Sequence, residues 1–147
     1  GDKLKNYFIN KYYCPDIPYN FSKHLFSFAN TSIDISDGLI SDMLRLINSQ
    51  KLSFSIDVDK IPISKKLNYY LKKYNKPKNK LVFNGDDYQI LFTSSKRNRL
   101  KIRTIANKLN QKVTIIGKIN DGYKKNLLKE GNKSLKLSNF KGYSHKF

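Results

Sequence analysis

The chain is 147 residues long, enough for one domain of ordinary size and short for a complete two-domain enzyme. Its 39% apolar and 13% aromatic content, with ten Tyr, nine Phe and no Trp, excludes a disordered chain. The formal charge of +18 points toward nucleic acid or an acidic membrane surface, yet only Arg45, Arg97, Arg99 and Arg103 carry the guanidinium that reads phosphate bidentately, so no specific nucleic-acid partner is expected and weak, salt-sensitive adhesion to polyanions is.

In chain order, Leu4, Tyr7, Phe8 and Tyr12 are spaced for one face of a short helix, and the opening with Gly1 rather than Met suggests a segment of something longer. No charged segment leads into an apolar one here, and no later run reaches the roughly 18 apolar residues of a membrane span, so a soluble, cytoplasmic protein is expected. The single Cys14 has no disulfide partner and is expected to be a buried small hydrophobe. Pro15 and Pro18 end the first helix. A second helix is predicted over 21–28, then a strand over 29–35 that runs into Ser36-Asp37-Gly38.

Leu39, Ile40, Met43, Leu44 and Ile47 follow the spacing of an amphipathic helix over 39–49, so a strand feeds a helix through Ser-Asp-Gly. Leu52, Phe54, Ile56 and Val58 alternate as a half-buried strand does. Ser64 is placed to cap a helix reaching about Tyr74, with a Lys/Asn/Pro loop over 75–80 after it. Asn84 to Asp87 reads as a turn, 88–93 as a strand, 96–109 as a helix and 113–119 as a strand. Asp121-Gly122 marks a further turn, and Glu130-Gly131-Asn132 centres a hairpin. Strands interleaved with helices, without repeat or linker, predict a single α/β (α+β) domain: a layered mixed β-sheet with packed helices.

Only eleven residues are acidic, yet Asp34, Asp37, Asp86 and Asp87 fall in two short segments where a strand meets a turn. Such strand ends gather ligand-binding groups, and carboxylates without obvious Lys or Arg partners suggest a cation site. Asp34 and Asp37 bracket Ser36, offering two hard oxygen ligands and a hydroxyl at a helix start, where magnesium and phosphate would fit. Gly38 leaves room for close backbone approach. In the plainer alternative, Asp37 caps the helix and Asp34 faces solvent. Asp42, on the helix, reads as a supporting or solvated residue. His24 and His145 are too isolated to form a metal cluster, and no phosphate-loop motif occurs.

Ser32-Ile33-Asp34-Ile35-Ser36-Asp37-Gly38-Leu39 resembles the Asp-x-Ser-Asp-Gly-Leu signature of thiamine-monophosphate kinases. Asn84-Gly85-Asp86-Asp87-Tyr88-Gln89-Ile90-Leu91-Phe92 is similar to that family's Gly-Gly-Glu-Asp-Tyr-Glu-Leu-Leu-Phe segment. Ile61-Pro62-Ile63-Ser64 and the terminal Gly142-Tyr143-Ser144-His145-Lys146-Phe147 resemble its Ile-Pro-Leu-Ser turn and its Gly-aromatic-x-His-Phe ending. The resemblance implies a fold like the C-terminal domain of aminoimidazole-ribonucleotide synthase-type enzymes, with residues 1–147 as the C-terminal domain and an N-terminal ATP-binding domain outside this chain. It implies transfer of the ATP γ-phosphoryl group to thiamine monophosphate.

By the same resemblance Asp34 and Asp37 would bind Mg2+, Ser36 would contact ATP, and Asp86 and Tyr143 would contact thiamine monophosphate. The full-length protein would be a homodimer, and this chain alone would be inactive. Three residues depart from the family pattern: Asp86 is one methylene shorter than Glu, Asn84 replaces a glycine, and Lys146 separates His145 from Phe147. Another ATP-dependent enzyme of the same superfamily, or a basic polyanion-binding module, are the competing readings.

Overall fold

The computed structural model describes residues 2–48, 50–122, 125–135 and 137. Helix α1 spans Asp2–Tyr13 and half-buries Leu4, Tyr7 and Phe8, while Tyr12 stays 62% exposed. Phe8 meets Tyr70 edge to face, with ring centroids 5.9 Å apart. Cys14 is exposed rather than buried, because it stands past the last turn of α1, beside Pro15 and near the equally exposed Tyr13 and Ile17.

The helix expected over 21–28 is two short pieces, α2 (Tyr19–Ser22) and a 3-10 turn, Leu25–Ser27. Ser22 and Ser27 each donate the hydroxyl to a carbonyl three residues back, a local bond that competes with continued helix.

Strand β1 (Ala29–Asp34) pairs antiparallel with β3 (Ile90–Ser94), forming a two-stranded ribbon in which Asp34 lies opposite Ile90. The second sheet has the order β4-β2-β5-β6, with β2 at Leu52–Asp57, β4 at Gly117–Asp121, β5 at Leu127–Glu130 and β6 at Lys133–Leu135. It is mixed, since β2 runs parallel to β5 and antiparallel to β4. The expected layered mixed sheet with packed helices is therefore present, and the β1–β3 ribbon is an addition to it. The hairpin at Gly131-Asn132 forms as expected, with Glu130 opposite Lys133.

Two strands begin later than the sequence predicts. The strand expected at 113–119 begins only at Gly117, opposite Ile56, because one residue further on β2 ends at Asp57 and turns into a 3-10 segment, Val58–Lys60. The strand expected from Tyr88 begins at Ile90, because Asp86 (φ 62°) and Tyr88 (φ 50°) lie in the left-handed region that no strand continues through. Helices α3 (Leu39–Leu46), α4 (Lys65–Lys73) and α5 (Arg99–Lys108) match their predicted periods, and the Ser64 hydroxyl oxygen caps α4 by accepting from the Leu67 amide at 3.0 Å.

The ribbon is held from both sides. Leu39, Ile40, Met43 and Leu46 of α3 pack with Phe54, Ile56, Leu91 and Leu128 in one core, joined by Ile33 and Ile35. On the other side Phe21, Phe28 and Ala106 form a second core that takes in Phe92 and Ala29. Leu91 and Phe92 are neighbours on β3 and face opposite ways, as strand geometry requires, so one short ribbon is anchored in two cores. Burying a side chain of this size contributes about 1.5–3 kcal/mol. The end of β1 is thereby fixed where Asp34 emerges.

Candidate functional site

Beyond Asp34 the chain leaves the ribbon, but its backbone stays bonded to the second polar segment. The Ile35 amide donates to the Gln89 carbonyl, the Tyr88 amide to the Ile35 carbonyl, and the Asp86 amide to the Ser36 carbonyl, each at 2.9 Å. Residues 34–38 and 84–89, distant in sequence, thus run side by side. Two glycines permit the approach. A Cβ at Gly85 would lie 2.0 Å from the Ser36 oxygen, and one at Gly38 would lie 2.8 Å from the Phe83 oxygen. Gly38 also has φ 110°, a conformation that side-chain-bearing residues rarely adopt. The close approach expected at Gly38 is therefore real, and it is made by the chain's own backbone.

Gly38 is the N-cap of α3, and no side chain bonds there. Asp37 does not cap the helix. Asp42 instead reaches back from the first turns of α3, and its Oδ2 accepts from the amides of both Ser36 and Asp37 at 3.0 Å. Asp42 is fully buried, which excludes the solvated alternative. Its role is to hold the Ser36-Asp37 backbone, much as a capping box satisfies orphan amides at a helix start. Those two amides are consequently committed to Asp42 and do not serve a bound phosphate.

Arg45 is the residue that sequence reasoning missed. Its Nη1 pairs with Oδ2 of Asp37 and lies 3.2 Å from Oδ1 of Asp42. Asp37 thus has a cationic partner inside the chain, against the expectation of carboxylates without one. The hydrogen bond and charge of Asp37 hold the guanidinium pKa even above its ordinary value. A signal was present in the sequence: Asp42 falls on the apolar stripe of its helix between Leu39 and Leu46, where a lone carboxylate needs partners, and Arg45 follows at i+3.

Asp34 is exposed at the end of β1, and Ser36 is half-buried beside it. On the facing segment the Tyr88 hydroxyl donates to Oδ1 of Asp86 at 3.3 Å, and the Asp86 charge raises the tyrosine pKa. The Asp87 carboxyl is raised too, first because protein crowds it and then because of Asp86; its side chain nonetheless stays open to solvent. Gln89 donates its side-chain amide to the Asp16 carbonyl at 2.8 Å, tying this segment to the linker after α1. Tyr143 lies outside the described residues.

The structure brings together Asp34, Ser36, Asp37 and Asp86, with the adjoining Asp87. Among the described residues no three His, Cys, Asp or Glu side chains are gathered tightly enough to hold a metal by themselves. A hard cation here would take one or two carboxylates from Asp34 and Asp37 and complete its shell with water or phosphate oxygens, the usual habit of magnesium. The donor set fits that mode. Among the described residues no helix is long and apolar enough to cross a membrane.

A family model for AIR synthase related protein, C-terminal domain, matches residues 30–129. The chain is 37% identical to a thiamine-monophosphate kinase of Buchnera aphidicola subsp. Schizaphis graminum, over 83% of this chain and 38% of that relative. It is 38% identical to one of Aquifex aeolicus, over 60% of this chain and 29% of that one. A solved structure of AaThiL complexed with AMPPCP and TMP superposes with a TM-score of 0.75 at 28% identity, covering 99% of this chain and 43% of that one. The thiamine-monophosphate kinase of Stenotrophomonas maltophilia K279a gives 0.70 at 26% identity, covering 82% and 37%. The chain spans less than half the length of each of these proteins.

Proposed function

The chain belongs to the family of AIR synthase related protein C-terminal domains, and on that premise we propose that it is the C-terminal domain of a thiamine-monophosphate kinase, which transfers the ATP γ-phosphoryl group to thiamine monophosphate. An N-terminal ATP-binding domain outside this chain completes the site, and the full-length protein works as a cytoplasmic homodimer. The observation that carries the reading is the backbone alignment of 34–38 with 84–89, in which the Asp86 amide bonds the Ser36 carbonyl. The similarity to AaThiL complexed with AMPPCP and TMP supports the choice of substrates.

Phosphoryl transfer depends chiefly on in-line positioning and charge neutralisation, and it needs no covalent nucleophile from the protein. Asp34 and Asp37 hold Mg2+, which supplies charge neutralisation for the phosphates. Ser36 contacts ATP through its hydroxyl, because its amide is engaged by Asp42. Asp86 and Tyr143 contact thiamine monophosphate, the tyrosine ring stacking on the cationic thiazolium. The left-handed backbone at Asp86 and its bond from Tyr88 fix where this shorter carboxylate is presented.

The reading is tested by assaying the full-length protein with thiamine monophosphate, ATP and magnesium, alongside Asp37→Asn. The parent is expected to form thiamine diphosphate and the variant to lose at least about a hundredfold in rate, the scale seen when one charge-stabilising group is removed. Failure of the parent to form diphosphate would sink the proposal. The 147-residue chain by itself is expected to show no turnover.

A further inference from the structure

Asp37 already has a cation bound to it, and that cation belongs to the chain. Its side chain is only 15% exposed, whereas the Arg45 side chain paired with it is 53% exposed. The guanidinium therefore reaches in from solvent at the last turn of α3 and is not enclosed. Withdrawing it would return a charge to water, which is favourable for the ion itself. Withdrawal would take from Oδ1 of the buried Asp42 its bond from Arg45, but Oδ2 of Asp42 keeps the amides of Ser36 and Asp37. The half-exposed arginine can thus leave Asp37 at the cost of one bond to Asp42, while the Ser36-Asp37 backbone beneath it stays braced by Oδ2 of Asp42.

We infer that Arg45 is a displaceable counter-ion of Asp37, which a divalent cation must dislodge in order to bind, so that Arg45 lowers the cation affinity of this loop. The inference rests on the reading of Asp37 as a magnesium ligand and adds a residue to it. Two positive charges compete for one carboxylate: an arriving ion forfeits the existing pair and is repelled by the guanidinium until it moves. Arg45 thereby keeps Asp37 neutralised and in place until a cation of higher charge arrives.

Mn2+, which shares magnesium's preference for hard oxygen ligands, is the probe. It is titrated into the full-length protein without nucleotide, and free ion is read from its electron paramagnetic resonance signal. Arg45→Gln is neutral and keeps a donor for Asp42. It is expected to bind Mn2+ about three- to tenfold more tightly than the parent, on the scale of a partly exposed ion pair plus the repulsion removed with it. Arg45→Met, which keeps the apolar stem without charge, carries the same expectation and guards against loss of fold in the first variant. Arg45→Lys retains the charge and is expected to stay near the parent. Unchanged or weaker binding in the folded Gln and Met variants overturns the inference, because Arg45 then props Asp37 in position for the ion. Asp37→Asn separates the two levels. If it binds like the parent, the ligand reading fails and the inference with it; if it loses binding while the Arg45 variants gain nothing, only the inference fails. No detectable binding by parent and Arg45 variants alike also overturns it.

Discussion

The position a Cβ would take on Gly85 lies 2.0 Å from the carbonyl oxygen of Ser36, so the two polar segments of the site touch through bare backbone. No flexible side chain stands between them to yield. Their relative placement is therefore set by main-chain packing, and the carboxylates they carry inherit that precision.

Gly85→Ala should accordingly destabilise the fold by about 2–3 kcal/mol, the cost of overpacking where only backbone can shift. Urea unfolding of the 147-residue chain checks this. A midpoint equal to the parent's would mean that the segments are not in contact. The glycine at 85 is required by proximity, since only Gly38, Gly122 and Gly131 are glycines with positive φ among the described residues.

Asp42 and Asp34 should separate stability from binding. Asp42→Asn removes a buried charge that holds two amides and an arginine, and a loss of about 3 kcal/mol is expected, as when one partner of a buried pair is taken away. Asp34→Asn changes an exposed strand end and should alter stability by less than about 0.5 kcal/mol, while weakening Mn2+ binding. Denaturant midpoints and a Mn2+ titration on both variants decide the matter. Equal destabilisation would remove the distinction between a brace and a ligand.

What the sequence made legible were features with a local period. Helices α3, α4 and α5 follow from their apolar spacing, and β2 follows from the alternation of Leu52, Phe54 and Ile56. The end of the strand at 113–119 was not legible, because it depends on where β2 stops pairing, which is a property of another segment. The start of β3 was hidden by positive φ at Asp86 and above all at Tyr88, a bulky residue type that does not announce such a conformation. Asp34, Ser36, Asp37 and Asp86 of the candidate site stand out in the sequence as scarce carboxylates and a hydroxyl where strands meet turns. Asp42 reads as supporting or solvated, and the choice between the two was not legible, since the bonds from the Ser36 and Asp37 amides to Asp42 exist only once Gly38 has turned the chain. The pairing of Arg45 with Asp37 spans eight residues across that same turn.

Asp87 gives the site a pH signature whose sign can be worked out. Crowding by protein, and secondarily the neighbouring Asp86 charge, hold its carboxyl pKa above the ordinary value in the folded chain. A group raised on folding contributes stability that is fully present below the unfolded pKa and lost as pH climbs through the folded one. At about pH 7 the ionised Asp87 is therefore a net cost to the fold, and a modest one, since the side chain remains open to water. Asp87→Asn should raise the unfolding midpoint at about pH 7 and leave it unchanged at about pH 3, where the parent's carboxyl is already neutral. Thermal melts of both proteins across this range test the sign directly. A variant less stable than the parent at neutral pH would show that the Asp87 carboxylate makes a favourable contact strong enough to outweigh its crowding and the repulsion from Asp86.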